Sequence, residues 1–340
     1  MWHCVQGSSE CWGSVMSKQL RMVLLGAMVA AILISQLLTS SRRLALDNEV
    51  AQADTEMSAP ETGVTAGQYE VRPTGNEPLP SKKPAQAKVT APAKPGQVFK
   101  GKMLLDEDFD GHSLDRTRWN TCHWWGKKGC TIASNDELEW YLPEQVKVAD
   151  GALHLTAEKR TVYGSDGHKY AYASAMVTTG PPTHDAPAKL AFTYGSIEVR
   201  FKVPEGQGLW PAVWLLPEST ESVPEIDMLE KLGHDPGTLR MHLHPKDRSL
   251  ESEGQRYYLP EGKSLSGEWH TMGLDWKPNQ LVFWLDGEKV WEFAGSQVPD
   301  EPMYVVMNLA VGGNYPGSPD STTSFPATFV IDRIRIQGNN

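Results

Sequence analysis

Seven residues, Pro224-Glu225-Ile226-Asp227-Met228-Leu229-Glu230, place three carboxylates within six positions and interleave them with apolar side chains. Carboxylates this close repel one another and resist desolvation, so packing them together costs folding energy. Clusters of this kind are retained where acid/base or nucleophilic chemistry uses them. Side chains alternate along a strand with period two, so Glu225 and Asp227 share a face while Ile226 and Met228 point into a core. Glu230 lies five residues after Glu225 and falls on the wrong face of a regular strand. One extra residue in a β-bulge around Met228-Leu229 returns it to the face of the other two. A nucleophile, a helper and an acid on one wall are the equipment of a retaining glycosidase. A solvated acidic strand edge is the plain alternative for so short a motif.

The elements around this stretch read as β-structure from about residue 100 onward. Ile197, Val199, Phe201 and Val203 alternate with Ser196, Glu198, Arg200 and Lys202, the pattern of a half-buried strand. Leu281–Leu285 and Glu288–Phe293 flank Asp286-Gly287, a hairpin signature. Ala152–Leu155 and Phe329–Ile336 also read as strands, and no long helical periodicity is found. Many strands with Gly/Pro turns predict an all-β sandwich of two curved antiparallel sheets, a β-jelly-roll with a concave cleft.

Net charge is -10, with 42 acidic and 32 basic residues, which argues against nucleic acid as a partner. Twelve Trp and ten Tyr accompany the acidic cluster. Aromatic rings fill cores, and they also stack on the C–H faces of sugars, so a carbohydrate ligand is expected. Four cysteines form two close pairs, Cys4/Cys11 and Cys122/Cys130, neither at zinc-ligand spacing. A Cys122–Cys130 disulfide is expected if this part of the chain is exported, with buried free thiols as the alternative.

Met22–Leu38 is seventeen residues without a charge, preceded by Lys18 and Arg21. It reads as a signal anchor or a signal peptide, behind an n-region over residues 1–21 that a start at Met16 would shorten. Arg42 and Arg43 after the apolar run weigh against an exported carboxyl side, since positive charge prefers the cytoplasm. Residues 39–98, rich in Pro, Ala and Lys, read as a disordered linker that holds a domain over 99–340 away from a membrane. An exported monomer, secreted or held at the membrane by its anchor, is the expectation.

Several ordered stretches within 103–336 together resemble glycoside hydrolase family 16, the laminarinase and lichenase family. Glu225–Glu230 is similar to its bulged E-x-D-x-x-E signature. Tyr194-Gly195-Ser196-Ile197-Glu198-Val199-Arg200 and Trp210-Pro211-Ala212-Val213-Trp214 resemble the segment before the catalytic strand. Glu268-Trp269-His270, Leu274-Asp275-Trp276 and Asn308–Gly317 look like laminarinase motifs, and Asn135–Tyr141 resembles the stretch at the glycone side of the cleft.

The resemblance implies a jelly-roll and retaining endo-hydrolysis of a β-1,3- or mixed β-1,3-1,4-glucan. Carried over by position, Glu225 is the nucleophile, Glu230 the acid and then the base, and Asp227 the residue that holds Glu225 and tunes its charge. A transglycosylase, a depolymerase of another polysaccharide, and a lectin on the same sandwich are the alternatives. Trp210 and Trp214 are candidate sugar platforms, with core packing as the alternative for each. Asn135 and Glu137 are candidate glycone contacts. Of the adjacent Trp124 and Trp125 only one can line the cleft, and Trp125 is the candidate. His270 either orients a cleft neighbour or is a satisfied core histidine; Asn308 either donates to a sugar hydroxyl or holds a turn. The resemblance also implies a structural calcium at Asp332, completed by Gly151 and Asp108, with an Asp332–arginine ion pair as the alternative. No cofactor is needed for catalysis.

Two departures bear on the substrate. Laminarinases commonly show Y-T-S-A-R where this chain has Tyr172-Ala173-Ser174-Ala175-Met176, which removes a charged donor near the glycone sugars. The Cys122-to-Cys130 insert carries Lys127 and Lys128, which would suit an acidic polysaccharide or lie solvated.

Overall fold

A computed structural model describes residues 101–125 and 129–339. The chain divides into two units, Met1–Lys83 and Pro84–Asn340, and the described residues belong to the second. The expected n-region, apolar segment and linker, together with Cys4, Cys11, Lys127 and Lys128, lie outside the described residues.

Two antiparallel sheets form the body of the described residues. The eight-stranded sheet runs, in spatial order, Glu288–Ala294, Gln280–Leu285, His270–Lys277, Gly195–Lys202, Ala327–Gly338, Ala152–Ala157 and Val146–Ala149, with Met103–Glu107 also pairing Ala327–Gly338. The six-stranded sheet runs Glu253–Tyr258, Thr238–His244, Glu225–Glu230, Leu209–Pro217, Met303–Val311 and Met176–Thr178. The acidic stretch is therefore an inner strand of the smaller sheet. The all-β sandwich read from the sequence is the architecture found.

The alternation that predicted strands also predicts what they bury. In Gly195–Lys202, Ile197, Val199 and Phe201 are buried while Glu198, Arg200 and Lys202 stay half-exposed. The 286–287 hairpin closes with Asp286 and Gly287 both left-handed, at φ 52° and 83°, as the twist of the flanking strands requires. Between the sheets, Val213, Leu215, Ile226, Met228, Leu229, Val305 and Met307 pack with Val199, Phe201, Met272, Leu274, Ile331 and Ile334. Removing apolar area of this kind from water is the main stabilising term, at roughly 25 cal/mol per Å².

The other face of the smaller sheet carries a second apolar cluster: Met176, Ala212, Trp214, Leu216, Tyr304 and Val306, with Cys130, Trp140 and Tyr141 over it. Cross-strand register places Ala212 opposite Glu230 and Trp214 opposite Asp227. Carboxylates and aromatic wall therefore share one face.

Candidate active site

The bulge required by the spacing is present. Asp227 pairs with His242 and Glu230 with Arg240, so three steps along the acidic strand match two on its neighbour. The other neighbour shows the same slip, with Trp214 opposite Asp227 and Ala212 opposite Glu230. Met228 and Leu229 both enter the sandwich core, and Glu225, Asp227 and Glu230 emerge together on the opposite face. Asp227 and Glu230 are only 5% and 6% exposed, and Glu225 is half-buried. Carboxylate oxygens of Asp227 lie within 4.8 Å of oxygens on both Glu225 and Glu230.

Each carboxyl has partners that constrain it. Trp210 donates its indole N–H to Oε1 of Glu230 at 3.1 Å. Nδ1 of His242 hydrogen-bonds Oε2 of the same carboxyl. Nε2 of His244 lies 3.1 Å from Oδ2 of Asp227 and 3.8 Å from Oε1 of Glu225. Nδ1 of His244 is fixed by the Ser252 hydroxyl at 2.6 Å. The electrostatics follow. Burial raises Glu225 well above the ordinary carboxylate range, and the charges of Asp227 and Glu230 add to the effect. Burial also raises Glu230, against a lowering contribution from the His242 bond. Both histidines are raised, His242 chiefly by its bond to Glu230 and His244 chiefly by its bond to Asp227. Three carboxylates and two imidazoles thus lie in contact on one face.

The tryptophan pair divides. Trp210 is half-buried, stacks edge-on against Tyr315 at 5.1 Å and serves the acidic strand directly. Trp214 is buried at 7% exposure and gives its N–H to Asn308 Oδ1 at 2.7 Å, so it is a packed wall member rather than an open platform. Asn308 spends its other amide end on the Tyr141 hydroxyl at 3.0 Å. Its oxygen and one of its two amide hydrogens are thus taken inside the protein, in a strand rather than the turn that was the alternative. Glu137 is likewise buried, accepting from Asn135 Nδ2 at 3.0 Å and from the Ile132 N–H at 3.2 Å. Trp214, Asn308, Tyr141 and Glu137 form one hydrogen-bonded chain behind the aromatic wall. Asn135 fixes this corner: its carbonyl accepts from Asn314, and Gly313, at φ 99°, passes so close that a Cβ there would sit 2.5 Å from that carbonyl.

Trp125 is half-buried, stacked on the buried His123 at 3.9 Å and tied to the Thr131 carbonyl at 3.3 Å. Cys122 and Cys130 are joined in a disulfide that closes this segment. Met176 is fully buried, opposite Asn308.

His270 is not brought to the acidic strand. It begins a strand of the larger sheet, and its ring nitrogens meet Asp286 Oδ2 at 2.7 Å and the Ser264 carbonyl at 3.3 Å, the arrangement of a satisfied structural histidine. Asp332 is bonded to the Arg200 guanidinium. The bond takes Oδ2, so the ion-pair alternative is present on one oxygen of this carboxylate.

His242, His244 and Tyr315 were missed by the sequence reading. The alternation of Arg240, His242 and His244 with Leu239, Met241 and Leu243 is a strand pattern that sets the first three on one face, with His242 and His244 half-buried and Arg240 buried. Its proximity to the acidic strand is a tertiary fact that alternation does not encode.

Comparison with known proteins places this geometry in context. The family profile described as Glycosyl hydrolases family 16 matches residues 134–332. The chain is 30% identical over 261 residues to Glucan endo-1,3-beta-glucosidase A1 of Niallia circulans, which covers 69% of this chain and 37% of that relative. It is 31% identical over 230 residues to Endo-1,3-1,4-beta-glycanase EglC of Rhizobium meliloti, covering 64% of this chain and 47% of that one. The chain thus spans less than half the length of these two relatives. The catalytic domain of an endo-1,3-beta-glucanase (laminarinase) from Thermotoga petrophila RKU-1 superposes with a TM-score of 0.63 at 32% identity, covering 72% of this chain and all of that domain.

Proposed function

This chain belongs to glycosyl hydrolases family 16, and from that premise we propose that it is a retaining endo-hydrolase of β-1,3- or mixed β-1,3-1,4-glucan. The observation that carries the reading is the bulge at Met228-Leu229, which sets Glu225 and Glu230 on one face with Asp227 between them. The relatives named as a glucan endo-1,3-beta-glucosidase and an endo-1,3-1,4-beta-glycanase support the substrate class.

In the first step Glu225 attacks the anomeric carbon while Glu230 protonates the departing glycosidic oxygen. A covalent glycosyl–Glu225 ester results. In the second step Glu230, now ionised, takes a proton from water, and that water displaces Glu225 with the anomeric configuration retained. Glu225 must enter the first step as a carboxylate although burial favours its acid form. His244, 3.8 Å away and paired with Asp227, supplies the compensating charge. Trp210 and His242 orient Glu230. The reaction uses no metal.

Monitoring the anomeric proton of fresh products by NMR tests this reading: β-product appears first if it holds, and α-product first refutes it. A narrower substrate, a glucan lacking the charged glycone contact common in laminarinases, is supported by Met176 being buried at that wall. Rates on laminarin, mixed-linkage glucan and a succinoglycan-type polymer separate these. The apolar run at 22–38 and the linker after it support a catalytic domain exported and either anchored or released; the mass of the exported protein distinguishes the two.

A further inference from the structure

We propose that His242 shares the acid/base proton with Glu230, making the two residues a joint proton store rather than a lone carboxyl. The inference rests on Glu230 being the acid/base of the reading above.

Both oxygens of Glu230 have a partner, and only the partner at Oε2 can itself take up a proton. Oε1 accepts the Trp210 N–H at 3.1 Å, and an indole only donates. Oε2 meets His242 Nδ1, and an imidazole nitrogen can either donate or accept. A proton on this edge therefore sits between Oε2 and Nδ1. His242 is held for this contact. Its strand pairs with the acidic strand at Asp227, and on its other side it pairs with Gly254. A Cβ on Gly254 would lie 2.4 Å from the His242 ring, so the ring uses the space left by the missing side chain.

The charged groups facing the pair are Asp227 on the acidic strand, Arg240 and His244 on its own strand, and Arg256 on the edge strand. Asp227 favours the charged imidazole, whereas Arg240, itself paired with Asp235 at 2.6 Å, opposes it. In the first step the shared proton passes from the Oε2–Nδ1 edge to the glycosidic oxygen as the C1–O bond breaks and the C1–Glu225 bond forms. In the second, the proton released by the attacking water returns to the same edge as the C1–Glu225 bond breaks. His242 is thus a positioning residue that acts through Glu230.

Two variants of the full chain, His242→Thr and His242→Gln, assayed on aryl β-laminaribiosides test the proposal. A dinitrophenyl leaving group departs without protonation, whereas a phenyl group needs it. Both variants are expected to lose about tenfold or more in kcat/KM on the phenyl glycoside, within the range of general acid catalysis, and to keep near-wild-type rates on the dinitrophenyl one. The basic limb of kcat/KM should shift in both, because it then reports Glu230 alone rather than a pair that titrates together. Gln can hydrogen-bond but not carry the proton. Restoration of the wild-type basic limb by Gln, or equal losses on both glycosides, would overturn the proposal. Hydrolysis by α-product in the wild type would instead overturn the underlying assignment.

Discussion

Trp210 gives its indole N–H to Oε1 of Glu230 at 3.1 Å from the strand immediately beside it. The contact joins an aromatic beside the cleft to the carboxyl that must gain and lose a proton. It exists only because the bulge swings Glu230 to the face that Trp210 occupies; on a regular strand the carboxyl would enter the core beside Met228.

Trp210→Phe keeps a ring against Tyr315 and removes the donor. A hydrogen bond to a charged group contributes about 1.5–3 kcal/mol, so kcat is expected to fall roughly ten- to a hundredfold. KM should change little, because the bond serves the acid/base rather than the sugar. Steady-state kinetics on laminarin checks the split.

His244→Gln removes the cation beside Asp227 and Glu225. Glu225 is already raised by burial and by its neighbours' charges. Without His244 its acid form is favoured further, so the acid limb of kcat/KM is expected to move to higher pH. A pH–rate profile measures the shift. An unchanged acid limb would detach His244 from the nucleophile.

Stability should fall as pH rises from weakly acidic to weakly alkaline. The folded-state values of His242 and His244 are raised above 6.5, and those of Glu225, Glu230, Glu137 and Glu139 above 4.5. Each group binds its proton more tightly folded than unfolded, so its contribution is full below the unfolded value and lost as pH rises through the folded one. The lowered acids Asp115, Asp166, Asp235 and Asp320 act in the opposite sense, but that change is complete near their ordinary 3.8. The buried His123, lowered to about 3, opposes the trend up to its ordinary 6.5, and Lys231, lowered to about 8, opposes it only above that value, so the two raised histidines and four raised carboxyls set the sign. Melting is expected to occur at a lower temperature at about pH 8 than at about pH 5.5. Glu139→Gln, which removes the carboxyl raised first by burial and then by Glu137, should flatten the slope.

The Cys122–Cys130 bridge closes a short segment, with a sequence separation of 8. On loop-closure grounds the double replacement Cys122→Ser/Cys130→Ser should cost about 2–3 kcal/mol of unfolding free energy. Denaturant melts of the two forms, with and without reductant, test it. The segment also carries Trp125 and His123, so glycone-side binding should weaken in parallel.

How much of this was legible in the sequence depends on whether a residue's partner is local. Alternation at Ile197–Val203 and the Asp286-Gly287 turn specify strand and hairpin through nearest neighbours, and both were read. The bulge was read because a five-residue Glu225–Glu230 spacing contradicts period two. Trp214 and Asn308 carry polar groups that suit a ligand, yet each spends them on another residue far along the chain. No local pattern distinguishes a hydrogen bond to Tyr141 from one to a sugar. His242 and His244 were overlooked for the same reason: their value comes from lying across from Asp227 and Glu225. His270 attracted notice through its motif, but the turn at Asp286 claims it.

The central claim is that Glu225 becomes covalently bonded to sugar. The most direct measurement is trapping with a 2-deoxy-2-fluoro-laminaribioside bearing a dinitrophenyl leaving group, followed by peptide mass mapping. The fluorine slows both steps and the activated leaving group restores the first, so an ester accumulates. The account predicts one label per chain, on Glu225, absent in Glu225→Gln. A label on Glu230, or no label while the substrate turns over, would contradict it.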